Sequence, residues 1–185
     1  MTTAHQQDIV DDVITDHREV EEVFAEIEKG GGGNKRDLVE HVIAELVRHS
    51  VAEEQYLYPA ARRVLADGDK IVDHELEEHG EAEQVMKALE ETDVDDPKFD
   101  ELTRKLIDAI RHHVVDEEKD LLPKLRDACD SADLRELGEK FERSKKLAPT
   151  RPHPSAPDRP PANKILGPGV GLIDRMRDAL SGRNA

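Results

Sequence analysis

A short pattern that occurs twice constrains this chain more than any other feature. It reads His-x-x-x-Glu-Glu, followed by a leucine and a proline, and it begins at His49 and again at His113. Successive residues of an α-helix are rotated by about 100°, so side chains four positions apart project from nearly the same face. His49 is therefore predicted to lie beside Glu53, and His113 beside Glu117. An imidazole and a carboxylate placed together in this way can bind one metal ion.

Both copies lie on predicted helices that have an apolar face. Hydrophobic residues at intervals of three and four predict helices over about residues 5–29, 35–66, 70–91, 97–129 and 132–145. In the second helix, His49 and Glu53 continue a face that is otherwise apolar. Pro59 and Pro123 fall inside the second and fourth helices, which should kink or break there.

The first and third helices carry one histidine each on the apolar face, His17 and His79. A lone histidine in such a position is more typical of a hydrogen-bonded core residue than of a metal ligand. Here each histidine precedes one copy of the repeated pattern, so the chain consists of two similar helical hairpins. Four antiparallel helices with short loops predict an all-α fold, an up-down-up-down four-helix bundle, with a short fifth helix packed against its end or side.

The repeat is predicted to place six polar side chains at a similar depth in the core: His17, His49, Glu53, His79, His113 and Glu117. Burial of two unpaired carboxylates costs several kcal/mol each, and metal coordination removes that penalty. The inner faces carry no lysine or arginine at this level, so the alternative is a set of core histidines and ion pairs. Nitrogen and oxygen ligands without a thiolate suit iron, manganese or zinc. Redox chemistry with dioxygen or peroxide would need iron or manganese.

The residues around the pattern are assigned by their helical position. Those predicted to face solvent or the rim of the bundle are Glu54, Glu118, Tyr58 and His112. Tyr56 is predicted on the inner face, where it either donates a hydrogen bond to a ligand or fills the core. The spacing of four also occurs in His74–Glu78 and His112–Asp116. One such pair is therefore a weak signal, and the specific signal is the repeat on apolar faces.

On these residues the chain closely resembles the hemerythrin-like family, also described as the HHE cation-binding domain, over about residues 10–128. The matching motifs are His17 on the first helix, His49-SVA-Glu53 on the second, His79 on the third and His113-VVD-Glu117 on the fourth. The resemblance implies a four-helix bundle holding a carboxylate-bridged, non-haem centre of two iron ions with an oxo or hydroxo bridge. Manganese and zinc are the alternative metals. The resemblance also implies that the four histidines are terminal ligands and that both glutamates are bridges.

One departure from the family pattern affects the expected function. Oxygen-carrying hemerythrins have two histidines four residues apart on the third helix, whereas this chain has His74 and His79, five apart. His74 can join the centre only if the helix is distorted. The pattern resembles instead the bacterial branch, whose reported roles include peroxide decomposition, nitric-oxide responses and iron handling.

The leading functional hypothesis is a non-haem di-iron protein that binds or reacts with a small oxygen species, namely dioxygen, peroxide or nitric oxide. Catalase-like peroxide decomposition is the first activity to test, and the sequence identifies no separate catalytic residue. The rival hypothesis is an iron- or oxygen-responsive sensor, or an iron-binding module without turnover. A third is a metal-free helical bundle that acts in protein interaction.

Composition limits the kinds of partner that the protein can bind and indicates how the chain is divided into parts. The net charge of −16 argues against nucleic-acid binding. No run of about 18 apolar residues and no signal-peptide pattern is present, which predicts a cytoplasmic protein without a membrane segment. We expect two parts, a bundle over residues 1–147 and a flexible, proline-rich basic tail over residues 148–185. The tail contains a weakly predicted helix near residues 170–180 and could bind a protein partner.

Overall fold

The computed structural model describes residues 7–30, 34–155 and 162–181, and within the last range the side chains of residues 170–179. Every element in these ranges is helical. The α-helices are α1 (Ile9–Glu28), α2 (Lys35–Ala52), α3 (Tyr58–Val64), α4 (Gly68–Glu91), α5 (Pro97–Asp116), α6 (Leu122–Ala128), α7 (Ser131–Lys145) and α8 (Ala162–Ser181). The predicted all-α bundle is confirmed: α1, α2, α4 and α5 are its four long helices, and α3 and α6 follow α2 and α5.

Local signals at the helix ends explain where the bundle helices begin and reverse. Asp8 accepts hydrogen bonds from two backbone N–H groups of the first turn of α1, each at 3.0 Å. Asp130 caps α7 in the same way, and Asp96 accepts from one backbone N–H group of the first turn of α5. These bonds satisfy N–H groups that have no partner within the helix. After α1, Gly30 adopts a φ of 101°, a left-handed conformation that favours glycine and turns the chain away from the helix axis.

Each copy of the repeated pattern contains a π-helical turn, at Glu53–Leu57 and at Glu117–Leu121. In both turns, the backbone N–H five positions after the glutamate donates to the carbonyl of that glutamate. Each turn directly precedes a helix with a proline in its first turn, Pro59 or Pro123, whose nitrogen has no hydrogen to donate. The predicted interruption is thus one inserted residue, which rotates the buried face that follows by about 100°.

The apolar core is divided into two clusters by a polar layer. The first cluster includes Val20, Phe24, Leu46, Met86 and Leu106. The second includes Val13, Leu57, Val72, Leu121 and Phe141. Along the chain, each of the four core histidines lies between positions of one cluster and positions of the other. Burial of the two clusters therefore holds the layer in place from both sides.

The predicted fifth helix is α7, which packs against α1 and α2. Phe141 is fully buried in the second cluster. Gly138 allows a close approach, because a Cβ there would lie 2.7 Å from the carboxylate of Asp12. The hydroxyl of Ser144 donates to the side chain of Gln55 at 2.9 Å. These contacts place α7 over the side of the bundle that carries His17 and His49.

The chain after α7 returns to the bundle. Thr150 is fully buried, and the backbone N–H of His153 donates to Glu83 of α4 at 2.7 Å. Helix α8 is held to this segment by two carboxylates: Asp174 lies 2.9 Å from Nε2 of His153, and Asp178 accepts from Thr150 at 2.5 Å. The weakly predicted helix at residues 170–180 is part of α8. Half of the six prolines of the predicted linker, at 157, 160 and 161, lie outside the described residues.

The attachment of α8 is expected to depend on pH through His153. The hydrogen bond with Asp174 raises the pKa of His153 above its ordinary 6.5, against the effect of burial. Burial raises the pKa of Asp174, but the contact with His153 lowers it to below 3.8. The histidine contributes fully below pH 6.5 and loses its contribution as pH rises through the raised pKa. Asp174 contributes fully to the stability of the attachment above its ordinary pKa of 3.8. The attachment of α8 is therefore strongest between about pH 4 and pH 6.5.

Hydrogen exchange of residues 170–178, corrected for the intrinsic exchange rate, measures this attachment between pH 5 and pH 8.5. Protection should fall as the pH rises in the wild-type chain. In a His153→Gln variant it should be weaker and nearly independent of pH over that range. The same decline in both proteins would show that His153 is not the titrating group.

Candidate metal centre

The structure brings all six polar residues predicted for the core into one buried layer. They come from α1 (His17), α2 and its π turn (His49 and Glu53), α4 (His79), and α5 and its π turn (His113 and Glu117). The four histidines are between 5 and 8% exposed, and the two glutamates are fully buried. Their role as metal ligands stays a prediction.

Four of these residues form a first cluster: His17, His49, Glu53 and Glu117, whose ligand atoms all lie within 4.8 Å of one another. Nε2 of His49 is 2.9 Å from Oε1 of Glu53. Nε2 of His17 is 3.4 Å from Oε2 of Glu117. Two imidazole nitrogens and two carboxylates thus face one small volume, which is a composition suited to a divalent or trivalent transition metal.

A second cluster contains Glu53, His79 and His113. Nε2 of His79 is 3.3 Å from Oε2 of Glu53 and 3.3 Å from Nε2 of His113. Glu53 therefore presents one oxygen to each cluster, as a bridging carboxylate must. Glu117 faces the first cluster. The two glutamates of the repeat are accordingly not equivalent in the folded chain.

The atoms that face the centre fit cations better than they fit one another. Buried polar atoms without a well-aligned hydrogen-bond partner include Nε2 of His17, Nε2 of His49 and all four carboxylate oxygens of Glu53 and Glu117. Some of these atoms are close, as the 2.9 Å between His49 and Glu53 shows, but they are not aligned for hydrogen bonding. A buried carboxylate left in this state costs several kcal/mol. The residues present therefore fit a two-cation centre.

Each of the four histidines uses its other ring nitrogen, Nδ1, to contact carboxylates outside the layer. The pairs are His17–Glu118 at 2.9 Å, His49–Asp16 at 2.9 Å, His79–Glu54 at 3.2 Å, and His113 with Glu75 at 2.9 Å and Glu78 at 3.1 Å. Such a contact fixes the rotation of the ring and turns Nε2 toward the centre. It also makes the imidazole a stronger electron donor, as is usual for metal-binding histidines.

Two of these carboxylates correct the sequence analysis. Glu54 and Glu118 were predicted to face solvent, but their side chains are only 12% and 21% exposed. Each of these glutamates directly follows a core glutamate, so its side chain is rotated by about 100° from the core direction. In a bundle, that direction leads along the interface with the neighbouring helix and not into solvent, which is why the prediction was wrong. The partners that were not identified from the sequence are Asp16, Glu75 and Glu78. Glu75 was detectable, since it lies one helical turn before His79 on the same face.

Tyr58 also departs from its predicted position on the rim. It is 2% exposed, and its hydroxyl lies 3.0 Å from Nε2 of His79. The π turn is the reason, because the inserted residue moves Leu57 and Tyr58 onto the buried face, while Tyr56 is half-buried against the second core cluster. Burial and the nearby carboxylates raise the pKa of Tyr58 well above 10, so the hydroxyl keeps its proton. The equivalent position in the second copy is Leu122, so the repeat supplies this hydroxyl once.

The electrostatics of the layer favour positive charge at its centre. Burial lowers the pKa of His49, but the carboxylates of Glu53 and Asp16 outweigh burial and raise that pKa to about 10. Burial likewise lowers the pKa of His79, and Glu53 and Glu54 raise it to about 9. Without metal, protons on these imidazoles partly neutralise the carboxylates. A metal ion would have to displace those protons, because Nε2 binds a metal through its lone pair.

One lysine reaches this region from outside the four-helix pattern. Nζ of Lys145, on α7, lies 2.5 Å from Oδ1 of Asp16. Asp16 is in turn the partner of Nδ1 of His49. The lysine therefore neutralises a carboxylate one step away from the layer and does not pair with Glu53 or Glu117.

Cavities reach the layer from both the first and the second ligand cluster. One, of about 130 Å³, reaches His79 and Glu54, and residues of the segment after α7, including Arg151 and His153, form part of its wall. Another is an open cleft of about 560 Å³ between α1 and α2 that reaches His49. Carboxylates line this cleft: Asp16, Glu19, Glu22, Glu26 and Glu45. The first cavity has the volume of a few water molecules and suits a small ligand.

Comparison with known proteins decides the family. A sequence profile of the hemerythrin HHE cation-binding domain matches residues 8–125, the segment that contains the whole layer. The chain belongs to the hemerythrin HHE cation-binding family. Metal binding is the property that names this family, and the buried His/Glu clusters agree with it.

Relatives of this hemerythrin-family chain have diverse descriptions. An uncharacterised hemerythrin-like protein of Schizosaccharomyces pombe is 26% identical over 93% of this chain and 86% of its own length. A DNA nickase of a Nostoc species is 27% identical over 74% of this chain but only 39% of its own length. The crystal structure of an HHE cation-binding domain-containing protein from Mycobacterium kansasii superimposes with a TM-score of 0.66 over 76% of this chain and 86% of that protein, at 20% identity. This structure supports the hemerythrin-like fold.

Two histidines of this hemerythrin-family domain lie on its surface. His74 does not enter the layer, because its side chain is 55% exposed on α4. His112 is 66% exposed, which confirms its predicted position in solvent. In the described part of the chain, no helix is both long and apolar enough to cross a membrane.

Proposed function

We propose that the buried layer holds two iron ions and binds or reacts with a small oxygen species. Nε2 atoms of His17 and His49 would hold one ion, and those of His79 and His113 the other. Glu53 would bridge the pair, and Glu117 would supply the second carboxylate. The observation that carries the proposal is the position of Glu53, whose two oxygens face different clusters. Iron in this position would supply electron exchange with dioxygen, peroxide or nitric oxide.

The protein groups around the layer support a reactive centre. The carboxylates on Nδ1 hold the imidazoles in one orientation, and the core clusters on both sides keep bulk water away. The small cavity beside His79 provides a route for a ligand of the size of dioxygen or peroxide. The Tyr58 hydroxyl is a protonated donor within that half of the layer. Catalase-like decomposition of peroxide is the first activity to assay.

Metal analysis of the protein purified without chelator, combined with its optical spectrum, tests this proposal. We expect about two irons per chain, near-ultraviolet bands typical of bridged iron pairs, and a spectral change on adding azide. Bound zinc or manganese without a response to azide would overturn the iron assignment. Oxygen release from added peroxide then separates turnover from binding alone.

Replacement of Tyr58 by phenylalanine tests the role of its hydroxyl. The variant should keep its metal, because Tyr58 contacts a histidine and the oxygen is not one of the proposed ligands. Azide, used as a probe of small ligands, should bind about tenfold more weakly, the value of one buried hydrogen bond. Azide titration of the optical spectrum measures this, with Tyr56→Phe as the matched control. Equal azide affinity in the Tyr58 variant and the wild type would remove Tyr58 from ligand binding.

A sensor or iron-binding module without turnover is the rival proposal, and the C-terminal segment favours it. This segment forms part of the wall of the cavity beside His79. Among the described side chains of α8, residues 170–179, three apolar ones are exposed: Leu172, Ile173 and Met176. Gly171→Ala should loosen α8, since a Cβ there would collide with the carbonyl oxygens of Leu147 and Ala148. An enzyme should keep its peroxide turnover in this variant. A sensor should lose its iron-dependent partner binding in this variant. Leu172→Ala, which changes the exposed face of α8, is the control, and in it α8 should stay docked on the bundle.

We propose no nucleic-acid partner, although one relative is named a DNA nickase. The matched region is 39% of that relative. The net charge of −16 would repel a phosphate backbone. A plasmid-nicking assay at low salt, where such binding is strongest, should show no cleavage.

A further inference from the structure

Two histidine–carboxylate pairs that lie outside the buried layer meet on the surface of the bundle. His74 and Glu78 lie one turn apart on α4, and His112 and Asp116 lie one turn apart on α5. Nε2 of His74 is 3.8 Å from Oε1 of Glu78 and 3.9 Å from Oδ2 of Asp116. Nε2 of His112 is 3.7 and 3.6 Å from the same two oxygens. Each histidine therefore faces the carboxylate of its own helix and that of the neighbouring helix.

These four nitrogen–oxygen distances are closer to the distance between two ligands of one metal ion than to the length of a hydrogen bond. A nitrogen–oxygen hydrogen bond is about 2.7–3.2 Å long, which is shorter than all four distances. Ligands of a tetrahedral ion with bonds of about 2.0–2.1 Å lie about 3.4 Å apart. The ligand atoms of His74, Glu78 and Asp116 already lie within 4.8 Å of one another. His112 is outside that group, although its Nε2 is 3.7 and 3.6 Å from the two carboxylate oxygens, so ion binding requires the exposed side chains of His74 and His112 to rotate toward each other.

From this arrangement we propose a second, surface metal site for a divalent transition metal of the zinc class, with His74, His112, Glu78 and Asp116 as ligands. Two imidazoles and two carboxylates form a donor set that zinc and cobalt accept. The site lies at the protein surface, where hydrated ions can enter. The strongly negative chain also raises the local concentration of cations.

Glu78 is the proposed ligand whose position is already held by other contacts. Its Oε2 lies 3.1 Å from Nδ1 of His113, which holds one side of the carboxylate. Its other oxygen, Oε1, points to the two surface histidines. The side chain is 17% exposed, so it is largely fixed by packing. A fixed first ligand reduces the ordering that ion binding requires.

Titration of the protein with its buried centre already occupied tests the surface site. Zinc affinity is measured by competition with a chromophoric chelator, and cobalt is used as a visible-absorption probe of four-coordinate geometry. We expect one additional zinc per chain and at least tenfold weaker binding in His74→Gln and in His112→Gln. The cobalt bands should be lost in both variants. Both histidines are exposed, so the variants should fold, which circular dichroism checks.

His41→Gln is the matched control. His41 is an exposed histidine four residues before Glu45, but Glu45 is paired with Arg48 at 2.5 Å. This variant should bind zinc like the wild type. The proposal is overturned if the wild type binds no additional ion, or if His74→Gln and His112→Gln bind zinc as tightly as His41→Gln. Metal content of the buried centre is measured separately, so failure of the iron proposal and failure of this one are distinguishable.

Discussion

Glutamine in place of Glu53 is expected to remove both of the proposed metal ions, whereas glutamine in place of Glu117 should remove one of them or weaken its binding. Glu53 presents one oxygen to the His49 side and the other to His79. Glu117 faces the first cluster, beside His17. Glutamine keeps the size of the side chain but removes the charge and one acceptor oxygen. The loss of the shared carboxylate therefore affects two ions at once.

Metal content per folded chain, measured by elemental analysis after gel filtration, tests this difference. Glu101→Gln changes an exposed glutamate on α5 and should keep the wild-type content. Equal loss in both core variants would indicate that Glu117 also bridges, as the family resemblance implies. Full metal content in Glu53→Gln would refute the proposed role of Glu53.

Removal of the metal should lower stability strongly. Without ions, Glu53 and Glu117 stay fully buried next to each other, and burial together with the charge of Glu53 raises the pKa of Glu117. Protons on His49 and His79 compensate only partly. We expect the chelator-stripped protein to be less stable by about 3 kcal/mol or more, which corresponds to about 10 °C in melting temperature for a chain of this length. Scanning calorimetry of the loaded and stripped protein measures the difference.

The double variant Glu53→Leu/Glu117→Leu separates metal binding from packing. It should bind no iron in the centre and show the same melting temperature with and without chelator. It should also be more stable than the stripped wild type by about 1–4 kcal/mol, because leucine removes the cost of burying two carboxylates. If the stripped wild type melts at the same temperature as the loaded protein, the ions do not stabilise the bundle. A metal-free interaction module would then be the better interpretation.

The layer of six side chains was predictable because its signals are local. The pairs His49–Glu53 and His113–Glu117 depend only on the helical repeat, and that repeat holds wherever the helix forms. His17 and His79 were identified by their place in the apolar pattern and by the repeated hairpin. The positions of all six in one buried layer follow from two similar hairpins packing together.

The partners of these side chains were not predictable in the same way. Glu54 and Glu118 occupy helical positions that sequence assigns to solvent, yet both lie along interfaces with neighbouring helices. Tyr58 reaches His79 because a π turn inserts one residue, and Pro59 marked an interruption without indicating its form. Lys145 comes from α7, whose orientation against α1 depends on tertiary packing.

Taken alone, the sequence determined the long helices of the bundle, the family and the six polar side chains of the buried layer, since each rests on spacing within one helix or on a repeat. Tertiary structure decided which oxygen of Glu53 faces which cluster, which carboxylates orient the histidines, and that His74–Glu78 and His112–Asp116 meet on the surface. These relations depend on the rotation and axial shift of one helix against another. Packing of the whole core sets both quantities, and no local pattern in the chain specifies them.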